Sequence, residues 1–305
     1  MPIERSTDKD ENDKLLLLKK NDKLLLLKKD LVFVLASNSI EGFLYTNDLI
    51  ERCIQQEGLE DRKDEILNDL ARLGVIKKMK DREFISREND PTLAHEGHWL
   101  AAQYVNTLAK KKQIPPWESI VREIHSRVIG PALLPEYRDR FAGQYRTRNA
   151  FVINAGAEPT QWMDLHSRMS EYGREMDERI KTLNPGAENI GNFLDQIAWG
   201  HYELSIIHPF IDGNGRTSRQ SMDLLCKHFG IKSITLGRVN KPGYIQALSQ
   251  VDQTGNLDHF TLFLSAQLWR EYAGSKNPID EAYTFHILEK IKILNINISN
   301  SIKHN

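Results

Sequence analysis

Cysteine is scarce: 305 residues contain two, Cys53 and Cys226. They lie far apart and lack metal-ligand spacing, which argues against a disulfide framework or a thiolate zinc site and fits a reducing compartment. No apolar run approaches the roughly 20 residues needed to cross a bilayer, so no membrane partner is expected. An excess of one charge is also missing. Lys and Arg total 41 against 42 Asp and Glu, a net charge of -1, so any nucleic-acid role would need a local patch. The first residues mix Glu, Asp and Lys ahead of leucines and do not read as a signal peptide. The expectation is a cytoplasmic protein; delivery into a host cell as an effector would leave no mark in this composition.

With 40% hydrophobic and 27% charged residues, the chain can bury a core as one large domain or two smaller ones. Asn12-Asp-Lys-Leu-Leu-Leu-Leu-Lys-Lys20 recurs unchanged at 21–29. Nine residues turn a helix by about 900°, so the two leucine sets face opposite ways. The repeat reads as a duplication that lengthens an N-terminal helix, not as a solenoid. The helical pattern runs to Ala36. A short extended stretch at Phe43-Leu-Tyr45 follows, then helices over 47–56 (capped by Thr46, closed by Gly58) and 60–73, which Gly74 stops. Residues 75–86 read as two short strands around a charged turn. The order resembles a winged-helix module.

Beyond Pro91 the periodicity predicts helices near 92–112, 116–129, 160–181, 190–207, 216–229, 241–253 and 257–272. Trp162, Trp199 and Trp269 fall on apolar faces and read as core, and His201 reads as a hydrogen-bonded core histidine. Ala150 to Gly156 is the one strand-like stretch in this half. The fold class is mainly α, divided into an N-terminal helix (1–42), the winged-helix-like segment (43–90), a helical bundle (91–274) and a C-terminal helix and tail (275–305).

The segment His208-Pro-Phe-Ile-Asp-Gly-Asn-Gly-Arg-Thr-Ser-Arg219 lies between two of these helices. A glycine-containing loop that opens onto a helix N-terminus offers unpaired N–H groups and a positive dipole end to an anion. Gly213 and Gly215 allow positive φ and a close approach to phosphate. Arg216 and Arg219 share one helical face and would clamp phosphate oxygens. Asp212 is a hard ligand suited to Mg²⁺, Asn214 can donate its amide to an α-phosphate oxygen, and His208 can take a hydroxyl proton near neutral pH. These are the parts in-line attack on a phosphate requires.

The same residues resemble the signature of the Fic family, H-x-F-x-(D/E)-G-N-G-R-x-x-R, at every specified position. The resemblance spans about residues 93–270. It implies a Fic-type helical bundle with a small β-hairpin flap, and transfer of AMP from ATP to a Ser, Thr or Tyr hydroxyl of a target protein. Carried over by position, His208 is the general base, Phe210 a buried anchor and Asp212 the Mg²⁺ ligand. Gly213, Asn214 and Gly215 form the anion hole, Arg216 meets the α/β-phosphates and Arg219 the γ-phosphate. Phe151, Val152, Ile153 and Asn154 match the target-docking flap, and Tyr244 the helix lining the adenine side.

Ser37-Asn-Ser-Ile-Glu-Gly42 fits the family's inhibitory pattern, (S/T)-x-x-x-E-(G/N). Ser37, Glu41 and Gly42 would then form a brake, with Glu41 paired to Arg219 where the γ-phosphate belongs. The same glutamate would align a water for removing AMP, so a de-AMPylase or bifunctional enzyme is the alternative. Relatives with this fold also act as kinases or phosphocholine transferases. A further alternative, from another class, is a DNA- or protein-binding regulator that senses nucleotide. For residues 43–90 two readings stand open: DNA binding through Lys77, Lys78, Lys80, Arg82 and Arg87, against which the acidic 60–73 helix counts, and protein docking or homodimerisation.

Overall fold

The computed structural model describes residues 7–41, 43, 45, 47–73, 75, 91–150, 157–183 and 189–272. All of the expected hairpin at 75–86 except Val75, the flap residues Phe151, Val152, Ile153 and Asn154, the inhibitory Gly42, Thr46, Gly74 and the C-terminal segment lie outside them. Among the described residues there are eleven α-helices and no strand, and no helix is long and apolar enough to cross a membrane.

The helices are α1 (Thr7–Ile40), α2 (Asn47–Gln56), α3 (Lys63–Arg72), α4 (Pro91–Ala109), α5 (Trp117–Ile129), α6 (Pro135–Phe141), α7 (Leu165–Thr182), α8 (Ile190–Ile207), α9 (Asn214–His228), α10 (Lys241–Thr254) and α11 (Asp258–Tyr272). The expected boundaries hold within a few residues for most. Two differ in ways that matter for the site. The first helix runs on past Ala36 to Ile40, so Ser37 to Ile40 of the inhibitory pattern form its last turn and Glu41 follows at its end. The helix expected to begin near Arg216 begins at Asn214. The seven-residue α6 was not expected; it is too short to show a period.

Helix α9 lies at the centre and packs on α4, α5, α8 and α1. Its residues Thr217 to Cys226 are all buried. The large core includes Trp117, Ile120, Ile124, Phe193, Ile197, Phe210, Leu224, Phe260 and Leu264. The buried tryptophan is Trp117, at 1% exposure, whereas Trp162 and Trp269 are 41% and 46% exposed. Apolar periodicity places a residue on a face but does not say whether a neighbour covers it.

A second core joins α1 to α2 and α3, through Leu31, Leu35, Ile50, Ile54, Ile66 and Leu70. Phe33 and Val34, on the other side of α1, meet Ala102 of α4. Helix α1 is therefore sandwiched, and residues 30–40 are buried all round. Both repeat copies lie in this one helix. In the second copy Leu24 and Leu27 reach the α2–α3 core, while Leu25 and Leu26 stay 38% exposed. The acidic face of α3 is used internally: Glu65 and Asp69 pair with Lys28 of α1 at 3.0 and 3.1 Å.

Candidate active site

Helix α8 ends at His208, whose φ of 49° and ψ of 57° are left-handed. Among the described residues it alone has positive φ without being glycine. Such a conformation costs on the order of 1–3 kcal/mol and persists only when its surroundings enforce it. The His208 N–H donates to the Leu204 carbonyl at 3.1 Å. The ring is half-buried. Burial pushes the His208 pKa below its ordinary value; the Ser205 backbone hydrogen bond opposes this, Arg146 adds to it, and Glu41 and Asp212 oppose it. The imidazole is thus neutral at neutral pH, as a base must be.

Phe210 is fully buried and stacks on His125, with centroids 3.6 Å apart and planes 3° from parallel. The Gly143 N–H donates to His125 Nδ1 at 2.9 Å. The other ring nitrogen, Nε2, therefore carries the proton and donates to the Asp212 carbonyl at 3.0 Å. Burial pushes the pKa of His125 down to about 3, so this neutral tautomer persists over the whole working range. Asn214 brackets the same loop from within. Its Oδ1 accepts from the Phe210 N–H and its Nδ2 donates to the Phe210 carbonyl, both at 2.9 Å. The expectation that this amide reaches an α-phosphate is corrected: it is 4% exposed and shapes the loop.

No side chain caps the N-terminus of α9, which leaves the first-turn N–H groups as donors. Gly213 has φ 75°, and a Cβ there would stand 2.7 Å from Ile129. Gly215 has helical rather than positive φ, contrary to expectation. A Cβ there would lie 2.5 Å from Glu41 Oε1, the movable end of a side chain, so it would push that carboxylate aside. Arg216 Nη2 meets Asp212 Oδ2 at 3.0 Å, and the Asp212 side chain is 77% exposed. The buried Arg216 Nε has no partner, a donor left over for an anion. Among the described residues no three His, Cys, Asp or Glu gather as a metal cluster.

The last turn of α1 docks on Arg219, whose side chain is 2% exposed. Arg219 Nε donates to Ser37 Oγ at 2.7 Å, and Nη2 donates to the Ser37 carbonyl at 3.0 Å and to Glu41 Oε1 at 2.6 Å. Burial opposes ionisation of Glu41, but Arg219, with help from Arg216 and Lys241, outweighs it and holds its pKa below the ordinary 4.5. Lys241 Nζ caps the Ile40 carbonyl at 2.7 Å.

Asn38 points the other way. It donates to Tyr45 and the Ala94 carbonyl and its Oδ1 lies 3.0 Å from His98 Nδ1. His98 Nε2 lies 3.0 Å from Gln220 Oε1, while Gln220 Nε2 is buried without a partner. Burial holds His98 neutral, and a neutral ring that donates to Asn38 must accept on its other side. The amide of Gln220 is therefore best read rotated, with its NH₂ on His98.

The structure thus brings His208, Asp212, Gly213, Asn214, Gly215, Arg216, Arg219, Ser37 and Glu41 together. Tyr244 is present but turned inward: its hydroxyl is 2.8 Å from His201 Nε2, its ring packs on Phe260 and it is 4% exposed. His201 is the core histidine expected. Two residues that shape the site, His125 and Arg146, belong to no motif. The only signal for either was an apolar-faced helix for the one and a strand approach for the other.

A sequence profile of the Fic/DOC family matches residues 115–226. The protein adenylyltransferase Fic of Drosophila erecta is 31% identical over 168 residues, covering 54% of this chain and 30% of that protein. Its namesake from Nematostella vectensis is 31% identical over 166 residues, covering 54% and 35%. The chain thus spans about a third of the length of the curated relatives it matches. A Fic-domain-containing signalling protein from Bacteroides thetaiotaomicron superposes with a TM-score of 0.55 at 18% identity, covering 90% of this chain and 91% of that one. Fic-1 from C. elegans gives a TM-score of 0.52 at 17% identity, covering 96% and 80%. The motif, the helical architecture around it and these similarities converge: the chain carries a domain of the Fic/DOC family over residues 115–226.

Proposed function

We propose that this chain transfers AMP from ATP to a Ser, Thr or Tyr hydroxyl of a target protein, and that Glu41 restrains it. The observation that carries the reading is the junction of α8 and α9. A neutral, half-buried histidine stands at one helix end, and an uncapped helix start with two buried arginines begins six residues later.

In the reaction, the His208 imidazole accepts the proton of the target hydroxyl. A ring N–H turned to the Ser205 backbone, which favours the protonated ring, would leave the other nitrogen with its lone pair. The hydroxyl oxygen bonds to the α-phosphorus, the bond from that phosphorus to the α/β-bridging oxygen breaks, and pyrophosphate leaves. The N–H groups of the α9 first turn receive the phosphate charge, Arg216 supplies its unpartnered Nε, and Arg219 takes the γ-phosphate. Mg²⁺ would neutralise the phosphates. Asp212 fits it as a single exposed carboxylate, because Mg²⁺ commonly uses one carboxylate with phosphate oxygens and water.

Restraint follows from anion competition. Arg219 is a buried cation whose carboxylate partner is Glu41. A γ-phosphate in that place would meet the carboxylate, and like charges there push the triphosphate out of line; misalignment alone costs orders of magnitude in rate. A second reading, AMP removal, is favoured by one feature: Glu41 keeps 34% of its side chain open to solvent, so a water can reach it.

Intact-mass analysis of Glu41→Gly with ATP, Mg²⁺ and candidate target proteins tests this. The expected result is a gain of one AMP on chain or target, at least about 100-fold faster than wild type, abolished by adding His208→Ala. Equal rates for wild type and Glu41→Gly would remove the restraint, and no transfer by either would remove the activity. Loss of AMP from a pre-modified target with wild type but not Glu41→Gly would favour the second reading.

A further inference from the structure

We propose that Arg146 is the positioning residue that holds His208 in its left-handed conformation. The inference rests on His208 being the base. It deepens that reading by naming what keeps the base in place.

Arg146 stands 62 residues away from His208 in sequence and belongs to no helix. Its side chain is a fork whose donors are used almost completely. Nε donates to the His208 carbonyl at 2.8 Å, and Nη2 reaches the Ile207 carbonyl at 3.4 Å. Its backbone N–H donates to the Pro209 carbonyl at 2.9 Å. Three consecutive carbonyls, just where α8 stops and its own ladder fails, therefore accept from one residue. Nη1 donates to the Arg148 carbonyl at 2.9 Å, and Nη2 also donates to the Thr160 carbonyl. The turn carrying His208 and the segments at 148 and 160 are tied into one body.

The residue is 5% exposed, and among the described residues its side chain is satisfied by backbone carbonyls. A buried cation is a costly way to fill space, since an apolar side chain of similar volume packs there without a desolvation penalty. The planar geometry accounts for the choice. Only a guanidinium presents donors in fixed directions to carbonyls on three separate segments, whereas an ammonium offers one point charge. The strain at His208 needs an outside constraint, and Arg146 supplies it on the carbonyl side while Leu204 supplies it on the N–H side.

The test compares Arg146→Lys and Arg146→Met in full-length Glu41→Gly protein. Three quantities are measured: melting temperature, ATP KM and kcat for transfer in the presence of Mg²⁺, and the His208 imidazole signal in histidine-labelled protein, assigned by its loss in His208→Ala. Arg146→Lys keeps the charge and most of the stem, so it guards against simple unfolding. It is expected to keep the ATP KM within about twofold while kcat falls about 10- to 100-fold. The His208 signal should move and those of His98 and His201 stay. Arg146→Met should move the same signal further. A kcat within about twofold of the parent would overturn the proposal, as would a kcat loss that only follows the folded fraction, or an unmoved His208 signal in folded Arg146→Lys. If the Glu41→Gly parent transfers nothing, the proposed activity fails, and the His208 signal alone still decides the role of Arg146.

Discussion

Two ion pairs tie α1 and the residue just after it to α9, and they are built in opposite ways. At one end Glu41 meets Arg219 at 2.6 Å; the cation is 2% exposed and the anion 34%. At the other, Asp30 meets Lys227 at 2.7 Å; the anion is 1% exposed and the cation 14%. Asp223, fully buried, adds a second carboxylate to Lys227 at 2.9 Å. Asn106 completes this cluster by donating to Asp30 and accepting from Lys227. The distances are nearly equal, so distance does not tell the pairs apart. Burial does. In the proposed restraint, a carboxylate partly open to solvent and set on a buried guanidinium is the one exchanged for another anion. Two buried carboxylates that share one lysine are not. The Asp30 end is the more deeply buried anchor of α1, and under the proposed restraint the Glu41 end is the part that yields.

Lys227→Met attacks the fixed end and carries the largest expected loss. It leaves two buried carboxylates without a cation, which costs about 3–5 kcal/mol. Urea unfolding should give a loss in that range. A loss under about 1 kcal/mol would mean that this end is as replaceable as the other.

Asp30→Asn is milder. It keeps the shape and a hydrogen-bonding amide, leaves Lys227 paired with Asp223, and removes a carboxylate whose ionisation burial disfavours, so a net loss under about 1 kcal/mol is expected. Hydrogen exchange at α1 amides near residue 30 should rise with it. An unchanged exchange pattern would separate Asp30 from α1 docking.

The smallest effect is the dependence on pH, and its sign differs between the ends. The folded pKa of Glu41 lies below 4.5. Its contribution is therefore present above that ordinary value and is lost as pH falls through the lowered folded one. The folded pKa of Asp30 is raised, through burial first and Asp223, against the pull of Lys227. Its carboxylate thus weakens the fold at neutral pH, and that cost is relieved as pH falls through the raised value towards 3.8. The stability difference between wild type and Glu41→Gln should shrink on acidification below about 4.5. For wild type against Asp30→Asn, the ionisation cost carried by wild type should fade instead. The same trend in both would end the contrast.

Much of this is legible in the sequence alone. The 190–207 helix matches its apolar pattern at both ends. The pairing of Glu41 with Arg219 was expected from two short patterns 178 residues apart, and it is present. The failures share a cause. Asn214 was expected to face phosphate, and Gly215 to need positive φ. Both expectations treated the segment as a loop, yet the helix begins at Asn214 and turns that side chain inward onto Phe210. His125 and Arg146 were missed because each acts through backbone groups far away in sequence, on Asp212 and on His208. A backbone acceptor has no residue type, so no pattern of side chains announces it.

By itself the sequence determined the local chemistry: where helices run, which loop can hold a phosphate, and which carboxylate can oppose which guanidinium. Periodicity and residue type suffice for these, because they depend on neighbours a few positions away. Only the tertiary structure decided which polar groups are buried and what satisfies them. It alone set Arg146 under His208, His125 beneath Asp212, and Asp30 with Asp223 around Lys227. Burial is a property of everything packed around an atom, and the strength and exchangeability of a charge pair follow from that burial.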